Sequence, residues 1–152
     1  EKRSSDDGLN IEGLAWDPQG GRLLLGLRSP RAGSAALVVA LKPANPGGRF
    51  AYENFQPEDI KTIRLPLGGL AIRSIEYDNR SKVFNIIAGA TEGQDKTDFK
   101  LWHWDGNDGQ PQLREVTTFD RKLKPEGVTR ASIGEGDFVF VVFDSSGYLK
   151  MD

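Results

Sequence analysis

The chain has 152 residues, of which 38% are hydrophobic and 28% charged, with a formal net charge of -2 and a pI near 5.5. That is enough for one domain with a core of ordinary size, and its charge balance excludes a general nucleic-acid binder. It has no cysteine and one histidine, His103, which excludes disulfides, thiolate catalysis, zinc-thiolate sites and multi-histidine metal centres.

Residues 1–9, "EKRSSDDGL", read as a flexible, solvated terminus without a hydrophobic signal region. A trimmed or mature chain reads the same way, so the compartment stays open between cytoplasm and periplasm. No apolar run approaches the roughly 20 residues of a membrane helix. Residues 10–152 read as a single domain. It opens with "NIEGLAWD", the turn "PQGG" and "RLLLGLR", a hairpin signal. "AALVVAL" follows "SPRAGS", and "KPANPGGRF" is a loop. In "PEDIKTIRLPL", Pro57 stands at a helix-start position, while the following residues alternate as an outer strand would.

The same order then returns. "RSIEYD", "NRS", "KVFNIIAGA", "TEGQDKTD", "FKLWHWD", "GNDGQ" and "QLREVTTF" form a second unit. "EGVTRASI", "GEGD", "FVFVVFD", "SSG" and "YLKMD" begin a third. Aligning Glu12-Gly13, Arg73-Ser74 and Glu126-Gly127 gives a period of roughly 50 to 60 residues, the mark of four-stranded propeller blades. The second strand of each unit is apolar on both faces, as expected of an inner strand covered by a blade on either side. The expected fold is therefore all-β and propeller-like, with two complete four-stranded blades and part of a third, and repeats starting near residues 12, 73 and 126. Such a set cannot close a ring of about four to eight blades. The chain is accordingly expected to be the C-terminal part of a larger propeller, its open faces covered by missing N-terminal blades or by a second copy.

Glu12, Arg73 and Glu126 occupy equivalent starts of the innermost strands and should gather at one mouth of the channel. Arg28 ends the strand beside Glu12, and Asp144 ends its counterpart in the third unit. Glu12 and Glu126, with Asn10 and nearby carbonyls, offer oxygen ligands of the kind calcium takes. Arg28 and Arg73 offer planar forks for an anionic ligand. The same acids can act as a base in hydrolysis, and the whole constellation can equally be an ion-pair network that ties blades together. "LWHW" sets His103 among Trp102 and Trp104, a lining for a sugar or base, or blade packing. Glu92, Asp95 and Asp98 in "TEGQDKTD" loosely resemble a calcium loop without its closing glutamate, and read as a solvated loop. "NRS" at Asn79 matches a glycosylation acceptor where a hairpin turn is required anyway.

"DDGLNIEGLAWDPQGGRLLLGLRSP", "LPLGGLAIRSIEYD", "NIIAGAT", "LWHWDG" and "PEGVT" followed by "FVFVVFDSSG" resemble, in order, the blocks of the bacterial domain-of-unknown-function family numbered 3616. The resemblance implies a bacterial β-propeller with strands ahead of the first block and no established activity. More distantly, the Glu-Gly strand openings are similar to those of gluconolactonase-like, strictosidine-synthase-like and phytase-like propellers, in which such an acid faces a metal or substrate. Only Glu12 and Glu126 match that pattern, and Arg73 departs from it. The leading expectation is a binding module holding a small polar ligand or calcium around Glu12, Arg28, Arg73, Glu126 and Asp144. The rivals are a channel hydrolase and a protein-interaction scaffold.

Overall fold

A computed structural model of the chain describes residues 8–91, 97–144 and 147–152. The sequence-predicted terminal segment up to residue 7, and Glu92 and Asp95 of the loosely calcium-like loop, lie outside the described residues. Strands β1 (Asn10–Asp17), β2 (Arg22–Ser29), β3 (Ala36–Leu41) and β4 (Ile60–Leu65) form one antiparallel meander. Strands β5 (Ala71–Asp78), β6 (Val83–Gly89), β7 (Phe99–Trp104) and β8 (Leu113–Phe119) form a second. Strands β9 (Pro125–Ile133), β10 (Gly136–Phe143) and β11 (Tyr148–Met151) form a third, of three strands. This is the all-β, propeller-like arrangement of two four-stranded sheets and an incomplete one. Both readings of "PEDIKTIRLPL" are realised in succession: Pro57–Asp59 is a single 3-10 turn, and β4 follows it directly.

The sheets lie face to face, with β5 packed on β1 and β2, and β9 packed on β5 and β6. Their alternation fixes two apolar layers. Phe84, Ile86 and Ala88 of β6 join Leu24, Val38, Ile63, Ile72 and Trp104 between the first and second sheets. Ile87, from the other face of β6, joins Phe99, Leu101, Val128, Val139 and Val141 between the second and third. The expectation of second strands dry on both faces holds for β6, which is buried from Phe84 to Gly89. It holds only in part for β2 and β10, whose burial is interrupted. The difference is positional, since β6 alone has a sheet on either side.

The first two sheets pack tightly over two facing glycines, Gly13 and Gly26, which pair across β1 and β2 and leave their side-chain space to Ile72 and Ile75. A methyl group added at Gly26 would lie 2.5 Å from Cγ2 of Ile72. Gly26→Ala is therefore expected to destabilise the protein by about 1–3 kcal/mol through overpacking. Denaturant titration should also show that adding Ile72→Ala recovers part of that loss.

Candidate functional site

Each of the three sheets carries an irregularity at the same place in its first strand. Along β1, Ile11 opposes Leu27 and Gly13 opposes Gly26, which leaves Glu12 as an extra residue in the ladder. Along β5, Ile72 opposes Ala88 and Ser74 opposes Ile87, leaving Arg73 extra. Along β9, Pro125 opposes Phe143 and Gly127 opposes Val142, leaving Glu126 extra. Arg28 is the residue skipped on β2, between Leu27 and Ser29. A bulged residue escapes the strict up-down alternation of a strand and can aim its side chain where a regular residue could not. Four charged residues placed on four bulges are thereby turned toward one another.

They form a single alternating chain. Arg28 Nη1 donates to Glu12 Oε1 at 2.9 Å. The other carboxylate oxygen of Glu12 lies 3.2 Å from Arg73 Nη1, and Arg73 Nη2 donates to Glu126 Oε1 at 2.5 Å. Asn10 adds a longer contact to Glu12 Oε1 at 3.4 Å. Glu12 and Arg28 come from the first sheet, Arg73 from the second and Glu126 from the third, so the cluster spans both inter-sheet junctions. Arg73 is its centre, with a side chain only 9% exposed. Its guanidinium also stands 5.7 Å from the ring centre of Phe99, within cation–π range. The ring fits there because Gly89 leaves its own side-chain space empty: a methyl group at Gly89 would come within 2.2 Å of the Phe99 ring.

The pairing does not use up every polar atom. Nε and Nη1 of Arg73 and Oε2 of Glu12 are buried and make no hydrogen bond. The Arg73 Nη1 to Glu12 Oε2 contact is close enough for ion pairing but lies off the hydrogen-bond direction. Buried donors and acceptors are normally satisfied, so this arrangement has hydrogen-bonding capacity left over. As a calcium site the donor set fits poorly. Both carboxylates already face the Arg73 guanidinium, and no group of three acidic or histidine side chains converges among the described residues.

Asp144 does not join the cluster. Its carboxylate lies 3.8 Å from Lys124 Nζ and is largely exposed, and its backbone N–H donates to the Lys124 carbonyl. His103 is likewise elsewhere, on β7, where Arg114 Nη2 sits 2.8 Å from its Nδ1. Burial and the neighbouring Arg114 charge both lower the His103 pKa, which favours the neutral ring. Trp104 is fully buried core, and its indole N–H donates to the Asn107 carbonyl. Asp98 accepts from the Arg121 backbone N–H. Asn79 lies in the β5–β6 turn.

Sequence reasoning missed a second polar layer near the far ends of β1 and β5. Buried Asp17 accepts from the backbone N–H groups of Gln19 and Gly20, each at 3.0 Å, and from Arg22 Nε at 2.8 Å. Arg22 then reaches across to Asp108 and the Gly106 carbonyl of the second sheet. Asp78 repeats the motif, taking the N–H of Arg80 at 2.9 Å and Arg130 Nε of the third sheet at 2.6 Å. Glu76 accepts from the Arg130 N–H, the Thr129 hydroxyl and Asn85. The available signal was an Asp five positions after Glu12 and after Arg73, each followed by turn residues.

Three stacked antiparallel sheets, joined near their first strands by charged bulge residues, define an all-β protein of propeller-like build. Its sequence matches the model of the family described as "Protein of unknown function (DUF3616)" over residues 2–150, and the chain belongs to that family. No curated protein matches it significantly. No helix is long and apolar enough to cross a membrane among the described residues.

Proposed function

We propose that the chain is a binding module, and that the Arg28–Glu12–Arg73–Glu126 cluster holds a small polar ligand through the Arg73 and Arg28 guanidinium groups. The observation that carries this reading is the unspent hydrogen-bonding capacity at the cluster's centre: Arg73 Nε is buried without a hydrogen-bond acceptor, and Nη1 is ion-paired to Glu12 without a hydrogen bond to it. A ligand with carboxylate or phosphate oxygens matches a planar fork in both shape and charge. Glu12 and Glu126 then orient the forks, since each acid holds one nitrogen of Arg73 and Glu12 also holds Arg28. Bulged backbone supplies the rigidity that such a site needs, because each side chain leaves a paired sheet rather than a loop.

Acetate, malonate, inorganic phosphate and calcium chloride are the probes for a thermal-unfolding titration at constant ionic strength. Malonate or phosphate should raise the melting temperature in a saturable way, and Arg73→Lys should weaken the effect at least tenfold in apparent Kd. Calcium chloride should leave the melting temperature unchanged. A saturable response to calcium alone, lost in Glu12→Gln and Glu126→Gln, would replace the anion-binding reading with the metal-binding one.

A further inference from the structure

We propose that the ligand of the Arg28–Glu12–Arg73–Glu126 cluster is a small zwitterion with its charges set apart, its carboxylate taken at the arginine end of the row and its ammonium at the glutamate end. The inference rests on the binding role proposed above and names the class of molecule that role selects. Charge balance is the first ground. Two guanidinium groups and two carboxylates cancel, so the cluster is neutral as a unit. Lys124, two residues before Glu126, faces Asp144 at 3.8 Å, and that pair adds nothing to the balance. An anion alone would bring an uncompensated charge to a row whose central side chain is 9% exposed. Desolvating such a charge is costly unless a partner of opposite sign goes with it. A zwitterion leaves the balance at zero.

The hydrogen-bonding capacity left over in the row is also of both kinds. Arg73 Nε is a buried donor without an acceptor, and Glu12 Oε2 accepts no hydrogen bond although it is ion-paired to Arg73 Nη1. An anion carries acceptors only, so it can answer the arginine and not the glutamate. An ammonium group supplies the missing donors.

The alternation of charge gives the ligand a direction. Arg28 ends the row in the first sheet with only its Nη1 engaged, and Glu126 ends it in the third with only its Oε1 engaged. These ends are 29% and 35% exposed, so they are the open parts of the row. A positive end and a negative end, with the Glu12–Arg73 pair between them, match a molecule laid antiparallel to the row. Charges on neighbouring carbons do not span an intervening ion pair, whereas charges at the two ends of a short chain do. Malonate and phosphate supply only the acidic half of such a ligand.

Thermal unfolding with ε-aminocaproate, caproate and hexylamine at constant ionic strength separates the two halves. ε-Aminocaproate should bind about tenfold more tightly in apparent Kd than caproate, the worth of one further charge-assisted hydrogen bond. Hexylamine should give no saturable shift, and glycine should do no better than acetate. Glu126→Gln should abolish the preference for the amine and tighten malonate binding, since it leaves the cluster with a net positive charge. Calorimetric titration of the wild-type chain with the same compounds gives the ranking without recourse to any variant. Caproate binding as tightly as ε-aminocaproate, beside a saturable malonate or phosphate response, overturns the zwitterion and leaves the anion site standing. A preference that survives Glu126→Gln overturns the placement of the ammonium. No saturable response to any of these compounds overturns the zwitterion and the binding role together.

Discussion

Replacing Arg73 with methionine is expected to cost about 3 kcal/mol of stability, the lower end of the range for stripping a buried carboxylate of its partner. The lower end applies because Glu126 is about one-third exposed and recovers solvation, its side chain being 35% accessible. Glu12 does not escape so easily. Its Oε2 atom is buried and has Arg73 as its nearest cation, and Arg28 compensates only the other oxygen. For a chain of this size the loss corresponds to a fall in melting temperature of about 6–12 °C. Urea titration will measure it, and a double-mutant cycle with Glu12→Gln will isolate the pair. Since removing both charges relieves the uncompensated acid, the double variant should lose less than the sum. Glu126→Gln alone should cost under about 1 kcal/mol, as exposed pairs do. Equal losses at Glu12 and Glu126 would mean that Arg73 is not the centre of the cluster.

The position of those four residues was legible in the sequence for a simple reason. Glu12, Arg73 and Glu126 each precede a small residue at the head of an apolar strand, and the recurring order of strands put all three on one inner edge. What the sequence did not disclose is how they meet. In a regular strand alternate residues face opposite sides of the sheet, and a bulge has no composition that marks it unless a turn-type glycine occupies it. Asp144 illustrates the failure. It holds the position in β10's register that Arg28 holds in β2's, two places past the partner of the inner glycine, but Lys124 lies nearer and takes its charge. The Asp17 and Asp78 layer was passed over because an Asp before a turn looks like turn chemistry alone. Its second carboxylate oxygen, bound by an arginine in each case, serves tertiary structure.

The two polar layers differ in how their charges are held. Around Arg73 the groups are ion-paired with hydrogen-bonding capacity to spare, whereas around Asp78 nearly everything is satisfied. Oδ1 of Asp78 accepts from the N–H groups of Arg80 and Ser81, and Oδ2 accepts from the Ser81 hydroxyl and Arg130 Nε, both at 2.6 Å. A satisfied network specifies a unique packing, while a partly satisfied one retains capacity to bind. That contrast is why the ligand is placed at the first layer and the structural lock at the second.

Asp78→Ala should accordingly destabilise the protein by about 3–4 kcal/mol, since it strands a part-buried guanidinium and leaves two turn N–H groups without their acceptor. Asp17→Ala should cost less, because Arg22 keeps Asp108 and the Gly106 carbonyl. The Asp78 effect should depend on pH in a defined direction. Burial pushes its pKa up, but the hydrogen bonds from Ser81 and Arg130, with the turn N–H groups, hold it below the ordinary carboxylate value. A group whose pKa is lowered by folding contributes its full share above the unfolded-state pKa, about 3.9 for Asp, and loses it as the pH falls through the folded value. The stability gap between wild type and Asp78→Asn should therefore be flat from pH 5 to 8 and shrink only below about pH 4. Urea midpoints across that range will show it. A gap that instead narrows between pH 5 and 7 would assign the coupling to His103, the chain's one histidine, on which the Asp78 charge acts electrostatically.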